Sequence, residues 1–167
     1  MPGPCPVRLR RQLLLTGSAL LWPALASAQA PQAVDWPVIQ LLDGRSLSPA
    51  SWREQPAVVV FWATWCAFCK RHNAHVEALH RASRGQLRVL GIALDRDADA
   101  VRQTMARQGW SFPVALDDGS LRARFTARRV IPMTCLIDRQ GRLLQAIPGE
   151  MAADDVLGLA RQLQCTA

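Results

Sequence analysis

Residues 57–70, AVVVFWATWCAFCK, contain the two features that decide the fold of this chain. The run from Ala57 to Phe61 is continuously apolar and rich in β-branched residues, which predicts a strand buried on both faces. A helical pattern begins a few residues later, at Cys66. Two cysteines spaced Cys-x-x-Cys on the first turn of a helix can close into a small ring, and the unpaired N–H groups of that turn favour a thiolate. We therefore predict a redox site with Cys66 as nucleophile and Cys69 as resolving cysteine.

A Cys-x-x-Cys pair can also belong to a structural zinc site, or it can be two unrelated core cysteines. A zinc site of this kind needs a second pair at ligand spacing, and none follows in the sequence. The strand before the motif and the adjacent Trp65 make a chance pair of core cysteines the weaker interpretation.

The first 28 residues are typical of a secretory signal peptide. Three arginines precede an apolar run from Leu13 to Ala26, and Ala26-Ser27-Ala28 has the small-x-small pattern of a cleavage site. The run is short for a membrane span, so cleavage is favoured over retention as an N-terminal anchor. Arg10-Arg11 also fits a twin-arginine signal, which leaves the choice between this route and Sec export open. The leader predicts a periplasmic protein.

The rest of the chain has the length of one domain. Residues 29–37 contain two prolines and lack strong periodicity, so we predict a tether there and a single domain over residues 38–167. The net charge of +7 includes the three arginines of the leader, and the remaining basic residues are scattered rather than grouped with aromatic residues. This distribution gives no support to nucleic-acid binding. The expected oligomeric state is a monomer.

Strands and helices alternate along the domain. Besides the central strand, extended segments are predicted at 38–42, 87–94, 112–116, 133–137 and 142–147. Helices are predicted at 66–81, 98–108, 121–127 and 152–163, with a short helical start at 48–52. The pattern predicts an α/β fold in which a central mixed β-sheet is flanked by helices.

Two motifs together resemble a known family. Residues 61–69, FWATWCAFC, and residues 131–138, IPMTCLID, are similar to motifs of the TlpA/ResA-like branch of the thioredoxin superfamily. The resemblance covers about residues 38–163. It implies a thioredoxin-like fold with a βα insertion, here about residues 87–109, after the active-site helix.

The resemblance also implies roles for residues around the cysteines. Pro132 would be cis and would face the disulfide, so that Ile131 could dock an extended substrate segment. Phe61, Trp62 and Trp65 would supply an apolar frame. No cofactor is expected apart from the redox-active disulfide between Cys66 and Cys69.

Four positions depart from the family pattern. Ala67-Phe68 separates the cysteines where a proline is common, Val60 replaces the buried acid of thioredoxins, and His72 stands where a glutamate is common. The usual carboxylate partner of Cys69 is therefore missing from both places. His72 lies one turn beyond Cys69 and either takes this role, with a titration near neutral pH, or is a structural histidine.

Two further cysteines remain in the mature chain. Cys135 lies in a predicted strand and is expected to be a buried, inert thiol. Cys165 follows the last helix, and sequence alone leaves a bridge between the two open.

These features predict a periplasmic thiol-disulfide oxidoreductase that acts on disulfide-containing protein substrates. The resemblance favours a reductant that serves apocytochrome c or a copper-site protein and is recharged by a membrane electron donor. Positive charge from His72, Lys70 or Arg71 would favour an oxidant instead. A Cu(I)-binding module that uses the two cysteines, with or without His72, is a further alternative.

Overall fold

The computed structural model describes residues 31–164. Within this range the chain forms eight strands and four α-helices. The strands are β1 (Gln32–Ala33), β2 (Ile39–Gln40), β3 (Ser46–Leu47), β4 (Ala57–Trp62), β5 (Arg88–Ala93), β6 (Val114–Leu116), β7 (Met133–Ile137) and β8 (Arg142–Pro148). The helices are α1 (Ala67–Ser83), α2 (Ala98–Gln108), α3 (Leu121–Phe125) and α4 (Ala153–Gln164), and a 3₁₀ turn covers Pro49–Trp52.

Six strands form one mixed sheet in the order β1-β8-β7-β4-β5-β6. The central strand β4 is parallel to β5 and antiparallel to β7, and all six of its residues are buried. This confirms both the mixed sheet and the prediction that β4 is buried on both faces. The expected βα unit over residues 87–109 is present as β5 and α2.

The register brings four strand ends to one edge of the sheet. Trp62 at the end of β4 pairs with Ala93 at the end of β5, and Met133 at the start of β7 pairs with Pro148 at the end of β8. Phe61 pairs with Met133, which joins the two halves of this edge. We call it the disulfide edge, because the loop after β4 carries the cysteines.

Successive residues of β4 point to opposite faces of the sheet and enter two different hydrophobic clusters. Val58, Val60 and Trp62 pack in the cluster that also contains Cys66, Cys69 and the buried residues of α1 and α4. Val59 and Phe61 pack in the second cluster, with Trp36, Trp52 and Phe125.

The predicted tether at residues 29–37 is wrong from Gln32 onward. Gln32 and Ala33 form the edge strand β1, paired with Leu143 and Arg142 of β8. Trp36 is buried and belongs to the second cluster. A two-residue strand is too short to show a period, and a single tryptophan gives no pattern, so only tertiary contacts decide this segment. The domain therefore begins before residue 38, whereas the predicted signal peptide lies outside the described residues.

Glu77 anchors the C-terminal half of α1, away from the cysteines at the start of the helix. Its carboxylate accepts hydrogen bonds from the backbone N–H of Ser111 (2.7 Å) and of Phe112 (3.2 Å), and from the Ser111 hydroxyl (2.7 Å). Arg81 Nε donates a further bond at 2.5 Å. These bonds fix α1 to the segment between α2 and β6.

None of the helices within residues 31–164 combines the length and the apolar character needed to cross a membrane.

Candidate active site

The cysteines lie at the junction between β4 and α1. Cys66 is the N-cap of α1 and has extended backbone angles, while Cys69 lies in the first turn. The two are joined by a disulfide, and Cys66 Sγ also accepts a hydrogen bond from the Cys69 backbone N–H at 3.2 Å. Cys66 is 9% exposed and Cys69 is fully buried. The arrangement gives Cys66 both the solvent contact and the positive end of the helix dipole.

Asp95, which follows β5, holds the turn before Cys66. Its carboxylate accepts hydrogen bonds from Thr64 N (3.0 Å) and Thr64 Oγ1 (2.5 Å). The backbone N–H of Leu94 also bonds to the carbonyl of Trp62 at 2.9 Å. Asp95 is not among the predicted site residues; its position at the end of a predicted strand next to the active-site strand was the available signal.

The Ile131–Pro132 peptide bond is cis, as the resemblance implied. Pro132 directly precedes Met133, whose pairing with Phe61 places the proline at the disulfide edge. Pro132 is buried, whereas Ile131 is partly buried and packs against both hydrophobic clusters. The structure thus brings Ile131 and Pro132 to the same edge of the sheet as the cysteines.

His72 lies on the buried face of α1, as the spacing Cys69, His72, Val76, Leu79 predicts. Its Nδ1 accepts a hydrogen bond from the backbone N–H of Met151 at 3.2 Å, so the neutral ring carries its proton on Nε2. Nε2 lies 3.0 Å from Thr134 Oγ1 and donates to it. Both ring nitrogens are therefore occupied by groups other than the cysteines.

Of the two roles that the sequence left open for His72, titration near neutral pH disagrees with the structure. The pKa of His72 is lowered to about 4, first by complete burial of the ring and then by the positive charge of His75, while Glu150 opposes these effects only in part. A buried imidazolium loses its hydration, which disfavours the charged form. His72 is consequently neutral at pH 7 and carries no positive charge toward the cysteines.

Three consecutive residues after β8 connect the two halves of the site; we call Gly149–Met151 the strap. Gly149 N–H donates to the Pro132 carbonyl at 2.8 Å, next to the cis bond. Both Glu150 carboxylate oxygens bond to Arg71, at 2.7 and 2.8 Å. Met151 N–H bonds to the imidazole of His72. Sequence reasoning missed the strap, because only the fold brings it beside α1.

The aromatic frame is only partly as expected. Trp62 is buried in the same cluster as the cysteines and meets Trp110 edge to face at 5.5 Å. Phe61 instead points to the opposite face of the sheet, since its neighbour Trp62 occupies the cysteine side. Trp65, directly before Cys66, is 72% exposed.

Cys135 is a buried free thiol in β7. Burial raises its pKa to about 12, which agrees with the prediction of an inert thiol. Its side chain belongs to the cluster on the face opposite to α1 and α4. The bridge to Cys165 that the sequence left open is not tested, because Cys165 lies outside the described residues.

Across residues 31–164, no group of three or more His, Cys, Asp and Glu side chains is arranged to hold a metal ion. The engaged nitrogens of His72 also remove it as a third ligand for an ion held by Cys66 and Cys69 in this conformation.

Known proteins share both the sequence pattern and the fold. The thiol-disulfide oxidoreductase ResA of Bacillus thuringiensis is 23% identical over 127 residues, covering 75% of this chain and 73% of the relative. A secreted Mycobacterium tuberculosis disulfide oxidoreductase, homologous to E. coli DsbE, superposes with a TM-score of 0.67 at 24% identity, covering 75% and 95% of the two chains. A thioredoxin-family thiol:disulfide interchange protein of Chlorobium tepidum gives 0.73 at 23% identity, covering 81% and 97%.

The thioredoxin-like sheet, the disulfide that caps α1 and the cis-proline at the same edge define a thiol-disulfide oxidoreductase. The chain belongs to the AhpC/TSA family, whose profile matches residues 30–146. The resemblance to the TlpA/ResA-like branch is confirmed. The match begins at residue 30 and so includes β1, in agreement with the corrected start of the domain.

Proposed function

We propose that the protein reduces disulfides in exported protein substrates, using Cys66 and Cys69. The Cys66 thiolate attacks one sulfur of a substrate disulfide and forms a mixed disulfide, and the other substrate sulfur leaves as a thiolate that takes up a proton. Cys69, after losing its proton, then attacks Cys66 Sγ. This step releases the second substrate thiol and closes the Cys66–Cys69 disulfide. The observation that carries the proposal is the position of Cys66 as N-cap, with its partner fully buried beneath it.

The substrate would be held by the backbone beside the cis-proline. Ile131 keeps part of its surface accessible at the disulfide edge, and Pro132 presents no N–H there. We assign the docking of an extended substrate segment to Ile131 and Pro132. Trp62 packs in the same buried cluster as the cysteines, and the exposed Trp65 directly precedes Cys66.

The electrostatics of the site favour the reductant over the oxidant. An oxidant needs a strongly stabilised thiolate, and nearby positive charge is one way to supply it. His72 is neutral, and the guanidinium of Arg71 is paired with Glu150. Lys70 remains as an exposed charge on α1. Two of the three cations that would favour an oxidant are therefore absent or compensated.

The proposed location is the periplasm, in agreement with the predicted leader and with the secreted Mycobacterium tuberculosis relative. A reductant in an oxidising compartment must be recharged after each turnover, which calls for a membrane electron donor. Suitable substrates are apocytochrome c or a copper-site protein. We propose that the protein works as a monomer without a cofactor other than its own disulfide.

Insulin reduction by the mature domain tests the activity. Cys66→Ser should abolish exchange, and Cys69→Ser should trap a mixed disulfide with the substrate, visible by non-reducing mass spectrometry. Full insulin reduction by Cys66→Ser would refute the proposal. Stoichiometric Cu(I) binding with negligible insulin reduction would favour the copper module instead.

The reduction potential against glutathione tests the direction. A value below about −220 mV supports the reductant, whereas a value near about −120 mV would make the protein an oxidant.

A further inference from the structure

An exposed aromatic ring lies between the two cysteines, and the exchange chemistry itself does not need it. Phe68 is 59% exposed. Two other large hydrophobic side chains close in sequence to the site are exposed: Trp65, directly before Cys66, and Val130, two residues before Pro132, with 48% of its surface accessible. Exposed apolar surface that surrounds a reactive group is typical of a binding site.

Arg71 holds one side of the Phe68 ring. The guanidinium carbon lies 4.8 Å from the ring centroid, in cation-π geometry. The same guanidinium forms a two-point ion pair with Glu150, through Nε and Nη2. A planar guanidinium bound at two points is fixed in direction as well as in place. The surface that Phe68 leaves to solvent therefore lies mainly on the side away from Arg71.

The position of Glu150 is fixed from both sides. Gly149, on one side, is bound to the Pro132 carbonyl, and Met151, on the other, is bound to the imidazole of His72. The carboxylate that orients Arg71 therefore belongs to a segment tied to both halves of the active site. This connection links the ring of Phe68 to the cis-proline, where the substrate backbone is proposed to dock.

Charge at this point is balanced. Glu150 compensates Arg71, so the pair adds no net charge beside the ring. An apolar side chain on the substrate would bury itself against this ring without having to desolvate an unpaired charge. A polar side chain would lose hydration there and gain no partner from the ring.

We propose that Phe68 is a specificity-determining residue that contacts an apolar side chain next to the reacting cysteine of the substrate. Arg71 and Glu150 are positioning residues that hold its ring. The substrate class is thus a protein segment with an apolar residue beside its disulfide-bonded cysteine. This inference rests on the proposed function, since it concerns the substrate of the same site.

Two synthetic peptides test it. Each contains one intramolecular disulfide, and they differ only in the residue beside the attacked cysteine, which is Leu in one and Ser in the other. Single-turnover oxidation of the reduced protein, followed over a range of peptide concentrations, gives a maximal rate and a half-saturating concentration for each. The efficiency for each peptide is its maximal rate divided by its half-saturating concentration. The readout is the efficiency with the Leu peptide divided by that with the Ser peptide, so a general loss of activity leaves it unchanged.

The wild-type protein should favour the Leu peptide by about tenfold, the smallest preference that apolar contacts of this size give. Phe68→Ala should bring the ratio close to one. Glu150→Gln should lower it by roughly threefold, as expected for loss of an exposed ion pair, through the half-saturating concentration of the Leu peptide rather than the maximal rate. In an Arg71→Ala background, Glu150→Gln should have no further effect, because the two residues act through one pair.

Asp43→Asn is the matched control. Asp43 also accepts two bonds from one guanidinium, that of Arg45, although both reach a single carboxylate oxygen, and the pair lies in the turn between β2 and β3. Asp43→Asn should therefore leave the ratio unchanged. A wild-type ratio near one, or a full preference retained in Phe68→Ala, would overturn the inference. Failure of both peptides to oxidise the wild-type protein would instead refute the proposed function.

Discussion

The imidazole of His72 and the hydroxyl of Thr134 are hydrogen-bonded at 3.0 Å, and both side chains are completely buried. The bond joins the active-site helix to the strand that follows the cis-proline. Because Met151 donates to the other ring nitrogen, the imidazole is held in one tautomer and in its neutral form. His72 is therefore a structural connection between α1, β7 and the strap. The alternative of a titrating partner for Cys69 does not fit this geometry.

The burial of His72 predicts a loss of stability in mild acid. Its pKa is about 4 in the folded protein, compared with the ordinary histidine pKa of 6.5. Between these values the unfolded chain binds a proton that the folded protein does not, so the free energy of unfolding falls as the pH falls. Taken over the whole window, His72 should account for a loss of about 3 kcal/mol, as an order of magnitude.

Urea unfolding of the wild type and His72→Gln, at several pH values across this window, checks the prediction. The carboxylates titrate in both proteins. The difference between the two proteins in the slope of the free energy of unfolding against pH therefore isolates His72. His80→Gln, at a half-exposed position near the end of α1, serves as the control for the loss of an imidazole. An unchanged slope in His72→Gln would contradict a buried, neutral imidazole.

Thr134→Val should destabilise the protein although valine has nearly the same shape. The change removes the acceptor of the His72 Nε2–H bond and leaves that group buried without a partner, at a cost of about 1–3 kcal/mol. Equilibrium denaturation at neutral pH measures the loss. Thr104→Val is a suitable comparison, because Thr104 is also buried but its donor, Arg107, can turn to solvent. Equal losses in the two variants would speak against the His72–Thr134 bond.

Glu77→Gln should also lower the free energy of unfolding, by about 1–3 kcal/mol, because an amide cannot accept all of the bonds that the carboxylate receives. Burial alone would raise the pKa of Glu77, but the hydrogen bonds from Ser111, Arg81 and Phe112 together outweigh it and lower the pKa. The stabilisation is therefore complete above the unfolded pKa of about 4.3 and is lost as the pH falls through the folded pKa.

Denaturation curves at neutral pH and in acid check both statements about Glu77. The wild type and Glu77→Gln should converge in stability at the acid end, where the carboxylate is protonated. Glu54→Gln, at an exposed position, should have little effect at either pH. A Glu77→Gln protein as stable as the wild type at neutral pH would show that the carboxylate is not needed.

Trp36→Ala should lower the free energy of unfolding by about 3–5 kcal/mol, the usual range for the loss of a buried aromatic side chain. The Trp36 ring stacks on Trp52 with the centroids 3.8 Å apart, and its Nε1 donates to the Gly141 carbonyl at 2.7 Å. Thermal unfolding measures the effect, and Val38→Ala, at an exposed position, is the control. A Trp36→Ala protein that unfolds at the wild-type temperature would support the prediction that residues 29–37 form only a tether.

Local pattern was sufficient for most of the secondary structure. The apolar run in β4 and the alternation of strands and helices were predicted from the sequence. Gly141 has φ +76°, as the hairpin turn requires. Gly109 ends α2 in the left-handed conformation, directly after the predicted helix at 98–108. In each case residues close in sequence determine the backbone, so the sequence contains the information directly.

The role of His72 shows where this reasoning fails. Its spacing from Cys69 correctly placed it on the buried face of α1, but spacing could not reveal the groups that meet its ring. Thr134 is 62 residues away and Met151 is 79 residues away along the chain. The protonation state depends on burial and on these partners, which only the assembled fold supplies.

The sequence by itself determined the strand and helix that carry Cys66 and Cys69, and, through two motifs, the thioredoxin-like fold and the cis-proline. The tertiary structure decided that β1 and Trp36 belong to the domain and that Asp95 holds the turn before Cys66. It also decided that the strap joins the cis-proline to α1 and that His72 is neutral. The physical reason is that backbone preferences and apolar periodicity act between neighbours in sequence. Burial, hydrogen bonding and charge compensation instead depend on which distant segments the sheet brings together.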